Sequence, residues 1–117
     1  MLTIPENSLV FMHTGPTDMR KSIDGLTILV VELLQHNPQS GHVFLFRSRK
    51  GDKLKLLHYE QNCFTLWYRR LEKGKYIFPR NVEGVIELDK EHFKWLLASD
   101  KYACWDALEQ NTYTNFF

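Results

Sequence analysis

Cysteine is scarce in this 117-residue sequence: Cys63 and Cys104 stand alone, with no CxxC pair and no repeated spacing. That excludes a disulfide framework and suits a reducing cytosol, where both side chains read as small buried apolar groups. Long apolar runs are missing too. None is longer than that at residues 28–31, which falls far short of the roughly 20 residues that span a bilayer. The start, Met1-Leu2-Thr3-Ile4-Pro5-Glu6, lacks the basic-then-apolar order of a signal peptide. The expectation is a soluble, cytoplasmic chain with no membrane partner. Catalytic signatures are equally thin. The histidines at 13, 36, 42, 58 and 92 show neither HxH nor HExxH spacing, and there is no Gly-rich phosphate loop, GxSxG elbow or Cys–His arrangement. Asp18, Asp24 and Glu32 on one helix lack the neighbouring acids of a nuclease site. The reading is therefore a non-catalytic chain with no metal, no cofactor and no small-molecule substrate.

What is present is a globular composition, 44% hydrophobic and 25% charged, of a length that suits one domain with its own core. A net charge of +1 conceals an uneven distribution. Residues 47–80 hold ten Lys/Arg (47, 49, 50, 53, 55, 69, 70, 73, 75, 80) against three acids (52, 60, 72), a net +7. The remainder holds five Lys/Arg and eleven acids, a net −6. Such asymmetry points to a polyanionic partner or, equally, to a solvated hairpin face.

Residues 8–13 form a short apolar run closed by Thr14-Gly15-Pro16, a first strand and turn. A helix follows, starting between residues 18 and 22 and running to about 35. Ile23, Leu26, Val30, Leu33 and Leu34 form its buried stripe. From His42 the period changes to alternation, and residues 42–48, 53–59, 64–71 and 75–78 read as four successive strands with short Gly- or Asn-containing turns. A fifth strand is expected at 85–88. Asp89 then caps a helix from 90 to about 99 that buries Phe93, Leu96 and Leu97. The expected fold is α+β: an antiparallel four- to five-stranded meander packed against an N-terminal and a C-terminal helix. One domain spans 1–100, and 101–117 is a tail with a turn of helix near 105–108.

Register assigns the charges to faces. A three-residue loop at Lys50-Gly51-Asp52 sets Arg49 opposite Lys53, Arg47 opposite Lys55 and Leu45 opposite Leu57. It gathers Phe44, Phe46, Leu54 and Leu56 on one buried face, which a two-residue loop does not. Pairing His58 with Phe64 adds Leu66 and Tyr68 to that core. The outer face then comprises Arg47, Arg49, Lys53, Lys55, Trp67 and Arg69. Phosphates would relieve the repulsion among these cations, and Trp67 would stack on a base. The competing reading makes Trp67 a core residue beneath a second layer, with lysines reaching round it.

Two stretches carry a resemblance. Thr17-Asp18-Met19-Arg20-Lys21-Ser22-Ile23-Asp24-Gly25-Leu26 resembles the TDMRKGxDGL signature of the TnpB accessory proteins of insertion sequence family 66. Ser40-Gly41-His42-Val43-Phe44-Leu45-Phe46-Arg47 through Lys55-Leu56-Leu57 is similar to that family's GxLFVFRxRRGDxxKxL segment. Leu66-Trp67-Tyr68-Arg69-Arg70-Leu71-Glu72-Lys73-Gly74 is similar to its LWYKRLEKGxFxWP, with Phe78-Pro79 for Trp-Pro. Ser22 and Cys63 stand where the family often has Gly. The resemblance implies a place in transposition beside a separate transposase, without a defined activity. Asp18, Arg20, Asp24 and Gly25 are the family-motif residues, read as structural: Asp18 or Ser22 caps the helix, and Arg20 pairs with a nearby acid. The expected partner is DNA at the transposon ends. The alternative is an adaptor that docks on the transposase or another accessory subunit.

Overall fold

The computed structural model describes residues 4–79 and 83–99. Strand β1 (Val10–Pro16) leads into helix α1 (Ile23–Leu29), which continues as a π-helical turn over Val30–Leu34. Strands β2 (Val43–Arg47), β3 (Lys53–Glu60), β4 (Cys63–Arg70) and β5 (Val85–Leu88) precede helix α2 (Lys90–Ala98). The strands form one sheet in the order β4-β3-β2-β1-β5. Five strands agree with the sequence reading; a purely antiparallel meander does not. Only β2-β3-β4 form a meander, because α1 carries the chain back along the sheet and sets β2 parallel to β1. Strand β5 returns to the far edge of β1, antiparallel to it.

Residues 75–78, expected as a strand, form an irregular segment that does not join the sheet. The Tyr76 N–H donates to the Gly51 carbonyl at 2.8 Å, and the segment folds over one sheet face with Tyr76 buried and Ile77 and Phe78 packed against it. The expected tail at 101–117, with its turn near 105–108, lies outside the described residues.

The sheet is covered on both faces. On one, Val10, Met12, Val43, Leu45, Leu54 and Leu56 pack beneath Tyr76 and the α2 residues Phe93 and Leu96. On the other, Phe11, Phe44, Phe46 and Leu57 pack beneath Leu26, Val30 and Leu34. The unbroken run Val43-Phe44-Leu45-Phe46 is the sequence's trace of this, since a strand buried on both sides does not alternate. The π-turn also moves one side chain. Its wider winding sets Leu34 below Val30, so Leu33, expected in the buried stripe, is 48% exposed.

Two-sided burial explains a register correction. Ser48 stands opposite Lys53, leaving a four-residue loop of Arg49, Lys50, Gly51 and Asp52, so Arg47 faces Leu54 and Lys55 faces Phe46. Gly51, at φ +87°, supplies the left-handed step. The next turn, Gln61-Asn62, has positive φ at both residues, the geometry of a two-residue hairpin turn, and pairs His58 with Thr65. Both expected registers are one residue out. The two slips add to a two-residue shift of β4 against β2, which keeps those strands on their expected faces, so only β3 is turned over relative to its neighbours.

Candidate nucleic-acid interface

That inversion separates the residues expected on one face. Arg47, Trp67 and Arg69 lie on the α2 side, whereas Lys53 and Lys55 alternate to the α1 side. Arg49 belongs to neither, being exposed in the β2–β3 loop. Trp67 is half-buried against the α2-side core.

Most strand cations are committed to backbone. Arg47 donates from Nε to the Thr14 carbonyl at 2.7 Å and from a terminal nitrogen to the Ser48 carbonyl at 3.2 Å, and it lies over the Phe78 ring. Burial, and after it the nearby Arg49 charge, lowers its pKa from the ordinary value. Lys55 donates to the Lys21 carbonyl at 2.6 Å and sits 5.7 Å from the Tyr68 ring centre. Arg69 reaches the Leu97 carbonyl at 3.4 Å. Burial raises the neighbouring Tyr76 phenol, an effect that Arg69 opposes by its charge and hydrogen bond. Lys53 stands opposite Arg70, yet each has an acid: Lys53 pairs with Asp52 at 3.2 Å and Arg70 with Glu72 at 3.4 Å. The like-charge pairs Arg47–Lys55 and Arg49–Lys53 inferred from the sequence do not form, and no unrelieved repulsion follows from them.

The loops differ. Strands β1, β2 and β4 end, and β3 and β5 begin, at the same edge of the sheet. Backbone bonds draw the connecting loops together: Thr17 N–H to the Arg47 carbonyl, Leu71 N–H to that of Asp52 and Tyr76 N–H to that of Gly51, each at 2.8 Å. Residues 17–21, 47–53 and 69–75 thereby bring ten Lys/Arg to one end against three acids, Asp18, Asp52 and Glu72. Among the described residues, Arg49, Lys50, Lys73 and Lys75 have no acid within 4.0 Å, while all three acids are already paired. Lys50, Lys73 and Lys75 did not stand out individually in the sequence, since their shared location depends on the loop contacts.

The β2–β3 loop is held stiffly. The buried Ser48 hydroxyl accepts from the Gly51 and Lys53 N–H groups, each at 3.1 Å, and donates to Asp52 at 3.3 Å. Burial would raise the Asp52 carboxyl, but Lys53 and Ser48 outweigh it and hold the pKa below the ordinary value.

The family-motif residues build the adjoining turn. Asp18 accepts from the Arg20 N–H at 2.9 Å and from its guanidinium at 2.8–3.1 Å, which together lower the carboxyl to about 2. Arg20 thus has its acid, as expected. Asp18, however, caps this turn and not the helix, and Ser22 occupies the N-cap position of α1 without a side-chain bond. Asp24 is exposed in the first turn of α1. A Cβ on Gly25 would meet the Lys21 stem at 3.2 Å, so glycine lets the turn lie close against the helix.

A family model described as IS66 Orf2 like protein matches residues 8–105. The chain is 34% identical over 98 residues to "Uncharacterized protein y4hO" of Sinorhizobium fredii (strain NBRC 101917 / NGR234), covering 84% of this chain and 85% of that protein. It is 33% identical over 89 residues to "Uncharacterized protein y4jC" of the same organism, covering 76% of each. No solved structure matches.

Proposed function

We propose that this chain, which belongs to the family of IS66 Orf2-like proteins, is a transposition accessory protein that holds nucleic acid at the loop end of its sheet. The family supports the transposition-related accessory role. The single observation that carries the mechanism is the convergence of three basic loops in which Arg49, Lys50, Lys73 and Lys75 lack acidic partners among the described residues. Unpaired surface cations contribute little to folding, whereas each one set against a phosphate releases condensed counterions and strengthens binding. The interface is an end of the sheet, with Arg49 the member of the originally expected set that it retains unpaired.

The test is a gel shift at low salt, with transposon-end DNA beside an unrelated duplex. Lys73→Glu with Lys75→Glu is expected to abolish retention while leaving thermal unfolding unchanged. Undiminished retention by this folded variant, or no retention by the unaltered protein, overturns the reading.

A second reading, an adaptor without DNA contact, has one observation in its favour. Ile28 and Val31, each 54% exposed, lie together with Pro38 on the outer side of α1 and its π-turn. Binding of a transposase subunit that persists at high salt and is lost in Ile28→Asp would favour it, because apolar contacts do not weaken steeply with salt.

A further inference from the structure

A cleft of about 330 Å³ opens between the ends of the parallel strands β1 and β2, lined by Pro16, Thr17, Asp18, Met19, Ser48 and Arg49. Two side chains here lack partners. Thr17 is only 9% exposed, yet among the described residues its hydroxyl has no hydrogen-bond partner, an unfavourable arrangement for a buried polar group. Arg49, across the cleft, has no acid among the described residues. The other polar groups are already engaged: Ser48 holds its loop, and the Asp18 charge is matched by a bidentate Arg20.

We infer that this cleft is a subsite for one tetrahedral phosphate, bonded by the Thr17 hydroxyl and the Arg49 guanidinium. The hydroxyl donates one hydrogen bond and the planar guanidinium donates two in parallel, a match to a phosphate's oxygens. Resting on the nucleic-acid reading above, the phosphate is a backbone phosphate of bound DNA, fixed in position while Lys50, Lys73 and Lys75 supply diffuse attraction. The same chemistry would also accept free phosphate, and the experiment separates the two sources.

Inorganic phosphate is titrated while backbone amide resonances are followed, and duplex binding is measured across a salt series. Phosphate is expected to shift the Thr17, Ser48 and Arg49 amides saturably, and Thr17→Val is expected to abolish the shifts. Without ligand, Thr17→Val should unfold at the same temperature or a few degrees higher, since a methyl replaces an unsatisfied hydroxyl. It should weaken duplex binding about 2- to 10-fold with no change in salt slope, because a neutral donor releases no counterion. Arg49→Ala, at an exposed site, keeps the test informative should Thr17→Val fail to fold. It should abolish the same shifts and reduce the slope by nearly one. DNA binding with a normal slope while phosphate leaves the cleft amides unmoved overturns the subsite and spares the nucleic-acid reading. Cleft shifts from phosphate without any DNA binding support the subsite and overturn that reading.

Discussion

The cations of the strands and the cations of the loops come from one basic stretch of sequence, yet they have different fates. Arg47, Lys55 and Arg69 run along a sheet packed on both sides, and each ends on a backbone carbonyl, those of Thr14, Lys21 and Leu97. Arg49, Lys50, Lys73 and Lys75 sit where strands end, beyond the reach of those carbonyls and without acids among the described residues. Positive charge alone is therefore a poor marker of an anion site. A packed strand engages its cations in the fold, and a loop leaves them available.

The largest expected effect concerns Trp67, which the sequence reading sets on the outer face. Trp67→Ala removes a half-buried ring from the α2-side core and should cost about 2–4 kcal/mol in urea unfolding, somewhat below the loss for a fully buried aromatic. Unfolding like the unaltered protein would return Trp67 to the surface role expected from the sequence.

Next comes a matched pair. Arg47→Met keeps an apolar stem near Phe78 but leaves the Thr14 carbonyl without its side-chain donor, and should lose about 1–2 kcal/mol. Arg49→Met should stay within about 0.5 kcal/mol of the parent. Equal losses would erase the distinction between strand and loop cations.

The contrast between engaged and idle groups extends to helix caps. Asp89 accepts from the His92 N–H at 2.7 Å and from its ring nitrogen at 2.8 Å, so Asp89→Ala should cost about 0.5–2 kcal/mol. Ser22 makes no such bond, and Ser22→Ala should be nearly silent.

Acid gives the smallest effect. At Asp89, burial acts to raise the carboxyl, but the His92 bonds outweigh it and lower the pKa. Asp18 and Asp52 are lowered as well, Asp18 to about 2. A carboxyl lowered by folding contributes stability above its unfolded value near 3.8 and loses it as pH falls through the folded value. These carboxyls should make the urea midpoint decline between about pH 4 and 2, a fall separate from the one that begins below about pH 6.5, where burial holds the His13 imidazole below its ordinary pKa and the unfolded chain takes up the proton first. Added salt should diminish the Asp18 share, since that pair is exposed.

Much of this was legible in the sequence. The strands at β2, β3, β4 and β5, the Asp89 cap and the helix after residue 22 follow from period and turn chemistry. The parallel pairing of β1 was missed in favour of an antiparallel sheet, although the strand-helix-strand order and the non-alternating run Val43-Phe44-Leu45-Phe46 are its traces in the sequence. The register was not legible, because the criterion of burying one face cleanly presumes that the other face is wet. With both faces covered, a one-residue slip exchanges two apolar sets of nearly equal merit, and the charges of β3 change sides with it. The loop end escaped a linear reading for another reason. Residues 17–21, 47–53 and 69–75 meet only through the sheet order and three backbone hydrogen bonds.

The central claim, that the unpartnered loop cations are the phosphate contacts, is tested most directly by the salt dependence of duplex binding in two variants. One carries Arg49→Ala, Lys50→Ala, Lys73→Ala and Lys75→Ala; the other carries Lys55→Met and Arg69→Met on the strands. The loop variant should lose nearly four units of log–log slope, at roughly 0.9 per phosphate contact, with an unchanged unfolding temperature. The strand variant should keep its slope and lose stability. A loop variant with the parent's slope, or a strand variant whose slope falls by two, would contradict the account.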